Sequence, residues 1–188
     1  IIAPALADGV YSVTISLADP VGNTRVVNAP DSLIIDTTPP EVTVDTLSTS
    51  DTTPTVTGGV IDSTATALTV TVGSQALQAT IVGDRWSADV PIPLSDGTFD
   101  VEATATDAAD NIGSDATMDE LFVSTAATVF TFETVTTNDT TPLLSGTAID
   151  ALGVASVEVT VNGTTYDASL VGEIWSVVLN NVLPEGDY

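Results

Sequence analysis

The chain repeats itself over a long period, and this constrains what it can fold into more than any other feature. Asp51-Thr52-Thr53-Pro54 returns as Asp139-Thr140-Thr141-Pro142, 88 residues further on. Trp86 returns as Trp175, one residue beyond that period, and Asp96-Gly97-Thr98-Phe99 as Glu185-Gly186-Asp187-Tyr188. Asp8-Gly9-Val10-Tyr11 is a third copy of the same element upstream. A fixed period of domain length means tandem modules rather than one large domain. The 188 residues hold a little over two periods. The expected division is the C-terminal part of one module at 1–38, a whole module at 39–126, and the N-terminal part of a third at 127–188. Taken alone, each flanking part exposes strand edges and half a core. The expected partners are therefore neighbouring modules of the same array. The alternative is strand complementation between copies, residues 1–38 of one chain completing 129–188 of another.

Each module has to be held together by its core alone. There is no cysteine for a disulfide, and both basic residues are arginine, Arg25 and Arg85, so no lysine is present for an isopeptide crosslink. Against those two stand 26 acidic residues, giving a net charge of −24 with no histidine. Such a surface repels nucleic acid and anionic lipid and repels itself, so the folded chain needs counterions, either diffuse salt or specific divalent cations. A halophilic habitat would explain the acidity with no bound metal. No run of 18 apolar residues is present, and no basic N-terminus precedes an apolar stretch.

The pattern of apolar residues is that of strands. In the middle module Glu41–Asp45, Thr55–Val60, Leu68–Val72, Gln78–Val82, Arg85–Ile92, Phe99–Thr106 and Glu120–Val123 alternate and are rich in Thr and Val. Seven short strands separated by turn residues predict an all-β fold: tandem immunoglobulin-like antiparallel β-sandwiches, one complete and two partial. Only residues 116–121 could pass for a helical turn, and their place before a strand predicts a loop. Tyr11, Phe99 and Tyr188 share one repeat position at the start of the sixth strand, where sandwiches often place a tyrosine corner. Phe99 lacks the hydroxyl, so the corner is expected in the flanking parts. Trp86 and Trp175 follow glycine turns at a strand start, which predicts core anchors rather than an exposed platform.

Several of these segments carry a family resemblance. Asp36-Thr37-Thr38-Pro39-Pro40 between modules, Ser145-Gly146-Thr147-Ala148, Trp-Ser after a glycine turn, and the run from Asp96 to Asn111 resemble bacterial immunoglobulin-like repeats, the extender modules of giant secreted adhesins of repeats-in-toxin and biofilm-associated types. The resemblance implies a structural role outside the cell, at a bacterial surface: a rod that spaces an adhesive tip from the cell. It also implies Ca2+ at module junctions, held by acidic residues. In such a sandwich the second-to-third-strand and sixth-to-seventh-strand loops lie beside the incoming linker. This puts Asp62, Asp107, Asp110, Asn111 and the linker's Asp36 at one end, as the many oxygens of a calcium shell require. Asp8, in a turn of the preceding part, is an auxiliary candidate. The corresponding loops of the flanking parts offer Asp19 and Asp150, but Gly22 stands where Asp110 does, and Ser124 stands where Asp36 does. Each of these aspartates could instead be turn chemistry, capping its own backbone. That reading is preferred for Asp51 and Asp139.

Two other functions compete with this one. An accessory carbohydrate- or ligand-binding module of a secreted enzyme would need an exposed aromatic platform, and an exposed Trp86 would favour it. Catalysis is not expected. Without His or Cys, Ser-His and Cys-His nucleophilic systems are excluded within this chain and zinc loses its usual ligands. The carboxylates sit mostly in turns rather than facing a cleft, against a glycosidase pair.

Overall fold

The computed structural model describes residues 5–62 and 64–188, and every regular element among them is a strand. Residues 1–4 of the expected first part lie outside the described residues. In chain order the strands are β1 (Gly9–Ala18), β2 (Thr24–Ile35), β3 (Glu41–Val44), β4 (Leu47–Thr49), β5 (Thr55–Ile61), β6 (Ala67–Val72) and β7 (Gln75–Gln78). There follow β8 (Thr80–Val82), β9 (Arg85–Asp89), β10 (Gly97–Phe99), β11 (Val101–Thr106), β12 (Ile112–Asp115) and β13 (Leu121–Val123). The last six are β14 (Val129–Phe130), β15 (Leu143–Ile149), β16 (Glu158–Val161), β17 (Thr164–Asp167), β18 (Ser169–Val171) and β19 (Ile174–Val178). The chain forms two compact units, one of residues 5–47, 53–94 and 98–122, the other of 48–52, 95–97 and 123–188.

In the first unit one sheet has the order β3-β5-β9-β8 and another the order β12-β11-β6-β7. These are the two faces of an immunoglobulin-like sandwich, with four strands on one side and the sixth-strand hairpin beside the third strand on the other. The period of two in the sequence explains the faces. Val56 and Val60 of β5, Trp86 and Ala88 of β9, Leu68, Val70 and Val72 of β6, and Val101, Ala103 and Ala105 of β11 are all buried, while Thr57, Gly59, Ser87, Thr69, Thr71, Glu102 and Thr104 between them reach the surface. A long hairpin, β1 paired with β2, precedes the sandwich, its register shifting between Tyr11 and Val13.

In the second unit β14-β15-β19-β18 repeats the order of β3-β5-β9-β8, and β16 pairs with β17 as β6 pairs with β7. Its core holds Leu144, Ala148, Tyr166, Trp175, Val177 and Leu179.

The tryptophans are anchors. Trp86 is 1% exposed and Trp175 4%. Each turns its indole N–H onto a first-strand carbonyl, Trp86 Nε1 donating to Thr43 O at 3.0 Å and Trp175 Nε1 to Thr131 O at 3.1 Å. The ring reaches that carbonyl by lying across a glycine of the intervening strand. A Cβ on Gly58 would stand 2.5 Å from the Trp86 ring and overlap Thr43 O, and one on Gly146 would overlap Thr131 O. Tyrosine corners are formed as expected in the flanking parts. Tyr11 Oη donates to Ala7 O and Tyr188 Oη to Pro184 O, both at 2.7 Å.

The strand limits differ from those read in the sequence at several places; Arg85–Ile92 ends at Asp89, and β4 is not among the seven expected. The expected strand 78–82 is two strands, β7 and β8, because the chain leaves one sheet at Ala79 and enters the other. Phe99–Thr106 is broken at Asp100. The seventh strand has an earlier half, β12, that pairs with β11; its Ile112-Gly113-Ser114-Asp115 composition carries no apolar alternation. Residues 116–120 form the expected loop.

Gly58→Ala should destabilise the first unit by about 1 to 3 kcal/mol, the range for forced overpacking, and Gly146→Ala the second by a similar amount. Urea unfolding followed by tryptophan fluorescence reads each. An unchanged midpoint for either variant would mean that the close indole contact is not needed.

Candidate metal centre

Three carboxylates converge in the first unit. One oxygen from each of Asp36, Asp62 and Asp107 lies within 4.8 Å of the other two. They come from three separate places in the chain: Asp36 follows β2, Asp62 follows β5, and Asp107 follows β11. Asp36 and Asp62 are half-buried and Asp107 is 2% exposed.

Local turn chemistry fixes each of them. Asp107 Oδ1 accepts the backbone N–H groups of Ala109 and Asn111, both at 2.8 Å, and Oδ2 accepts Asn111 Nδ2 at 2.8 Å. Asp110 takes φ +67° to close this loop, a conformation Asp tolerates better than most residues. Asp62 Oδ1 accepts Thr64 N at 2.6 Å and Thr64 Oγ1 at 2.8 Å. Asp36 Oδ1 accepts Thr38 N at 3.1 Å. Among the described residues, the second oxygens of Asp36 and Asp62 have no protein donor.

Asn111 ties the linker to the loop. Besides Asp107, its Nδ2 donates to the backbone carbonyl of Asp36 at 3.1 Å. The segment between β2 and β3 runs so close to β12 that a Cβ on Gly113 would overlap Pro40 O. Backbone contacts therefore hold Asp36 in the cluster; its side chain has no need to reach.

Among the described residues, no basic side chain pairs with the cluster. Burial opposes ionisation of Asp107, but the Asn111 side chain and the N–H groups of Asn111 and Ala109 outweigh it and hold the carboxyl below its ordinary range. The one salt bridge among the described residues, Arg85 with Asp45, lies elsewhere. Three carboxylates so close together raise one another's energy unless a cation or proton enters. Their oxygens, with the nearby amide, are the hard donors that Ca2+ prefers. Geometry and donor chemistry fit such an ion.

The remaining expected residues stand apart from this cluster. Asp110 is exposed. Asp8 instead holds the linker. Its Oδ1 accepts Thr37 N at 3.1 Å and Thr37 Oγ1 at 2.7 Å, and its Oδ2 accepts Thr38 Oγ1 at 2.9 Å. These bonds, the Thr37 hydroxyl first, hold its carboxyl below the ordinary range. Asp19 closes an exposed loop like that of Asp107, accepting Val21 N, Asn23 N and Asn23 Nδ2. In the second unit Asp150 accepts Leu152 N and Thr128 Oγ1, and Ser124, the counterpart of Asp36, is buried.

The clamp made by Asp8 was not read in the sequence, although the repeat carries its signal. Asp96 and Thr125 stand 88 residues after Asp8 and Thr37, and they make the same pair of bonds, Thr125 N at 3.0 Å and Oγ1 at 2.8 Å to Asp96 Oδ1.

Residues 42–123 match the family model of the bacterial Ig-like domain. No curated protein matches the chain. Among solved structures the chain is similar to the crystal structure of a tetra-tandem repeat in the extending region of a large adhesion protein. The identity is 26%, over 94% of this chain and 50% of that one, with a TM-score of 0.41. The chain thus spans half the length of that structure.

The depressed Asp107 carboxyl gives a pH dependence of definite sign. Its folded value lies below the ordinary 3.8, so the stability it contributes is present above that pH and is lost as pH falls through the lower folded value. With metal removed by EDTA, the wild type should lose melting temperature below about pH 4, and Asp107→Asn should lose less over the same interval. Equal acid slopes for the two proteins would show that Asp107 is not the group responsible.

Proposed function

We propose that this bacterial Ig-like domain and the strands on either side of it form a segment of an extender rod. In this reading the rod belongs to a secreted bacterial surface adhesin, lies outside the cell and spaces an adhesive tip from it. Calcium at the Asp36, Asp62 and Asp107 cluster stiffens the rod. The convergence of a linker carboxylate with two loop carboxylates carries the reading, because an ion shared among them ties the linker to the domain that follows. The mechanism is electrostatic. Bound Ca2+ would supply the charge that lets three carboxylates stand together, with Asp107 held in its loop and Asp36 brought to it by Asn111. The linker already has two restraints, the prolines Pro39 and Pro40 and the clamp from Asp8. An ion adds the third, and the angle between successive domains becomes fixed.

The tandem repeat supports a spacer role, since repetition multiplies length without adding chemistry. The reading assigns no catalytic residue. The accessory carbohydrate-binding alternative is disfavoured by the burial of Trp86 and Trp175, which leaves neither indole face free to stack on a sugar. Ser124 in place of Asp36 makes the second linker the more flexible one and leaves one calcium per chain.

Calcium titration followed by melting temperature tests this. At a dissociation constant of about 0.1 to 1 mM, the range of extracellular modules, calcium at about 10 mM should stabilise the domain by about 1.4 to 2.7 kcal/mol. The gain should reverse with EDTA. Asp62→Asn, which keeps the shape and removes the charge, should abolish most of it. An equal gain from sodium at matched ionic strength, or an unchanged gain in Asp62→Asn, would remove the site.

A further inference from the structure

The linker between β2 and β3 carries one hydrogen bond that is present only where the linker also brings a carboxylate. Asp36 Oδ1 accepts the N–H of Thr38 at 3.1 Å, so the Asp36 side chain turns back onto its own chain and takes its direction from where Thr38 stands. Thr38 in turn donates its hydroxyl to Asp8 Oδ2 at 2.9 Å. Thr37 donates its N–H at 3.1 Å and its hydroxyl at 2.7 Å to Oδ1 of the same carboxylate. Asp8, in the turn before β1, thus commits both oxygens to the linker, and it is not among the three carboxylates that converge.

The second linker separates the two halves of this clamp. Asp96 repeats Asp8 and Thr125 repeats Thr37, and both bonds to Oδ1 are kept. Ala126 stands where Thr38 does, so the hydroxyl for the other oxygen is gone, and Ser124 stands where Asp36 does. Ala126 N still reaches back two residues, to Ser124 Oγ, but at 3.4 Å where Thr38 N reaches Asp36 Oδ1 at 3.1 Å. The Thr37 half of the clamp therefore suffices to seat a linker. The Thr38 half accompanies the carboxylate of Asp36 and its convergence with Asp62 and Asp107.

We infer, on the calcium reading of this cluster, that Asp8 is a positioning residue for the ion: through the Thr38 hydroxyl it fixes the direction from which the Asp36 carboxylate meets Asp62 and Asp107. The gain is preorganisation. A linker free to rotate would have to be ordered as the ion binds, which weakens binding, whereas a ligand held by an outer hydrogen bond is ordered beforehand. Asn111 holds the Asp36 carbonyl at 3.1 Å and Asp8 holds Thr38, so the Asp36 side chain is set between two fixed points. Linkage makes the effect reciprocal, because an ion that prefers the clamped linker tightens the clamp by the same factor. Its influence then reaches the turn before β1, which contributes no carboxylate to the cluster.

Calorimetric titration of the 188-residue chain with calcium, in enough sodium chloride to screen surface charge, tests this. Thr38→Val removes the hydroxyl at constant charge and nearly constant shape. It should weaken calcium binding about tenfold, the low end of the effect of losing an outer partner at a metal site. Asp8→Asn should weaken it by a similar factor. Thr38→Ser, which keeps the hydroxyl, should bind as the wild type does. So should Asp96→Asn, which makes the same change of charge at the linker that lacks Asp36. Hydrogen exchange reads the coupling separately: calcium should slow exchange of the Thr37 N–H, which is bonded to Asp8, in the wild type and much less in Thr38→Val. Wild-type affinity in Thr38→Val would overturn the positioning role and leave calcium at the cluster standing. Equal weakening by Asp96→Asn would overturn it too, by reducing the effect to general charge. A wild type that binds no calcium would remove the ion from the cluster and the role of Asp8 with it.

Discussion

Three carboxylates brought within 4.8 Å of one another from separate segments are the arrangement on which the rest of the site depends. Asp107 is pinned by two backbone N–H groups and an amide, Asp62 by its own Thr64 turn, and Asp36 by the Asn111 bond to its carbonyl. Ordinary surface aspartates relieve such crowding by rotating into water. Here the turns that shape the loops also fix the charges, so the backbone is satisfied while the electrostatics are not. A cation would relieve that crowding, and the hydrogen bonds to Asp107 hold its carboxyl below the ordinary range.

The same turn elements recur through the chain with different consequences. Asp19 with Asn23 copies the Asp107 loop, and Asp96 with Thr125 copies the Asp8 clamp. The clamp is kept at both linkers, but the carboxylate of the first linker becomes the buried hydroxyl of Ser124 in the second. The first linker thus brings a carboxylate to the loops beside it, and the second brings a buried hydroxyl.

Much of this was legible in the sequence because it rests on local pattern. Period-two alternation marks strands whose faces differ, and Trp86, Tyr11 and Tyr188 occupy the positions their repeat predicts. The cluster could be read because loop ends in a sandwich are set by topology, which brings Asp36, Asp62 and Asp107 together from distant segments. What escaped was structure determined by a neighbour rather than by pattern. β12 has Gly113 at its centre because Pro40 passes against it, and so it lacks the apolar alternation of a strand. Asp8 reads as a turn residue until Thr37 and Thr38 are found on its carboxylate. Glu120 is buried, its Oε2 accepting Val101 N at 3.0 Å, at a position where an acidic residue reads as surface.

A crystal structure of the chain grown in calcium would show whether an ion sits among these carboxylates. The account predicts one ion coordinated by a carboxylate oxygen from each of Asp36, Asp62 and Asp107 at about 2.3 to 2.6 Å. An empty cluster in crystals that hold calcium elsewhere, or the three side chains turned apart into solvent, would contradict it.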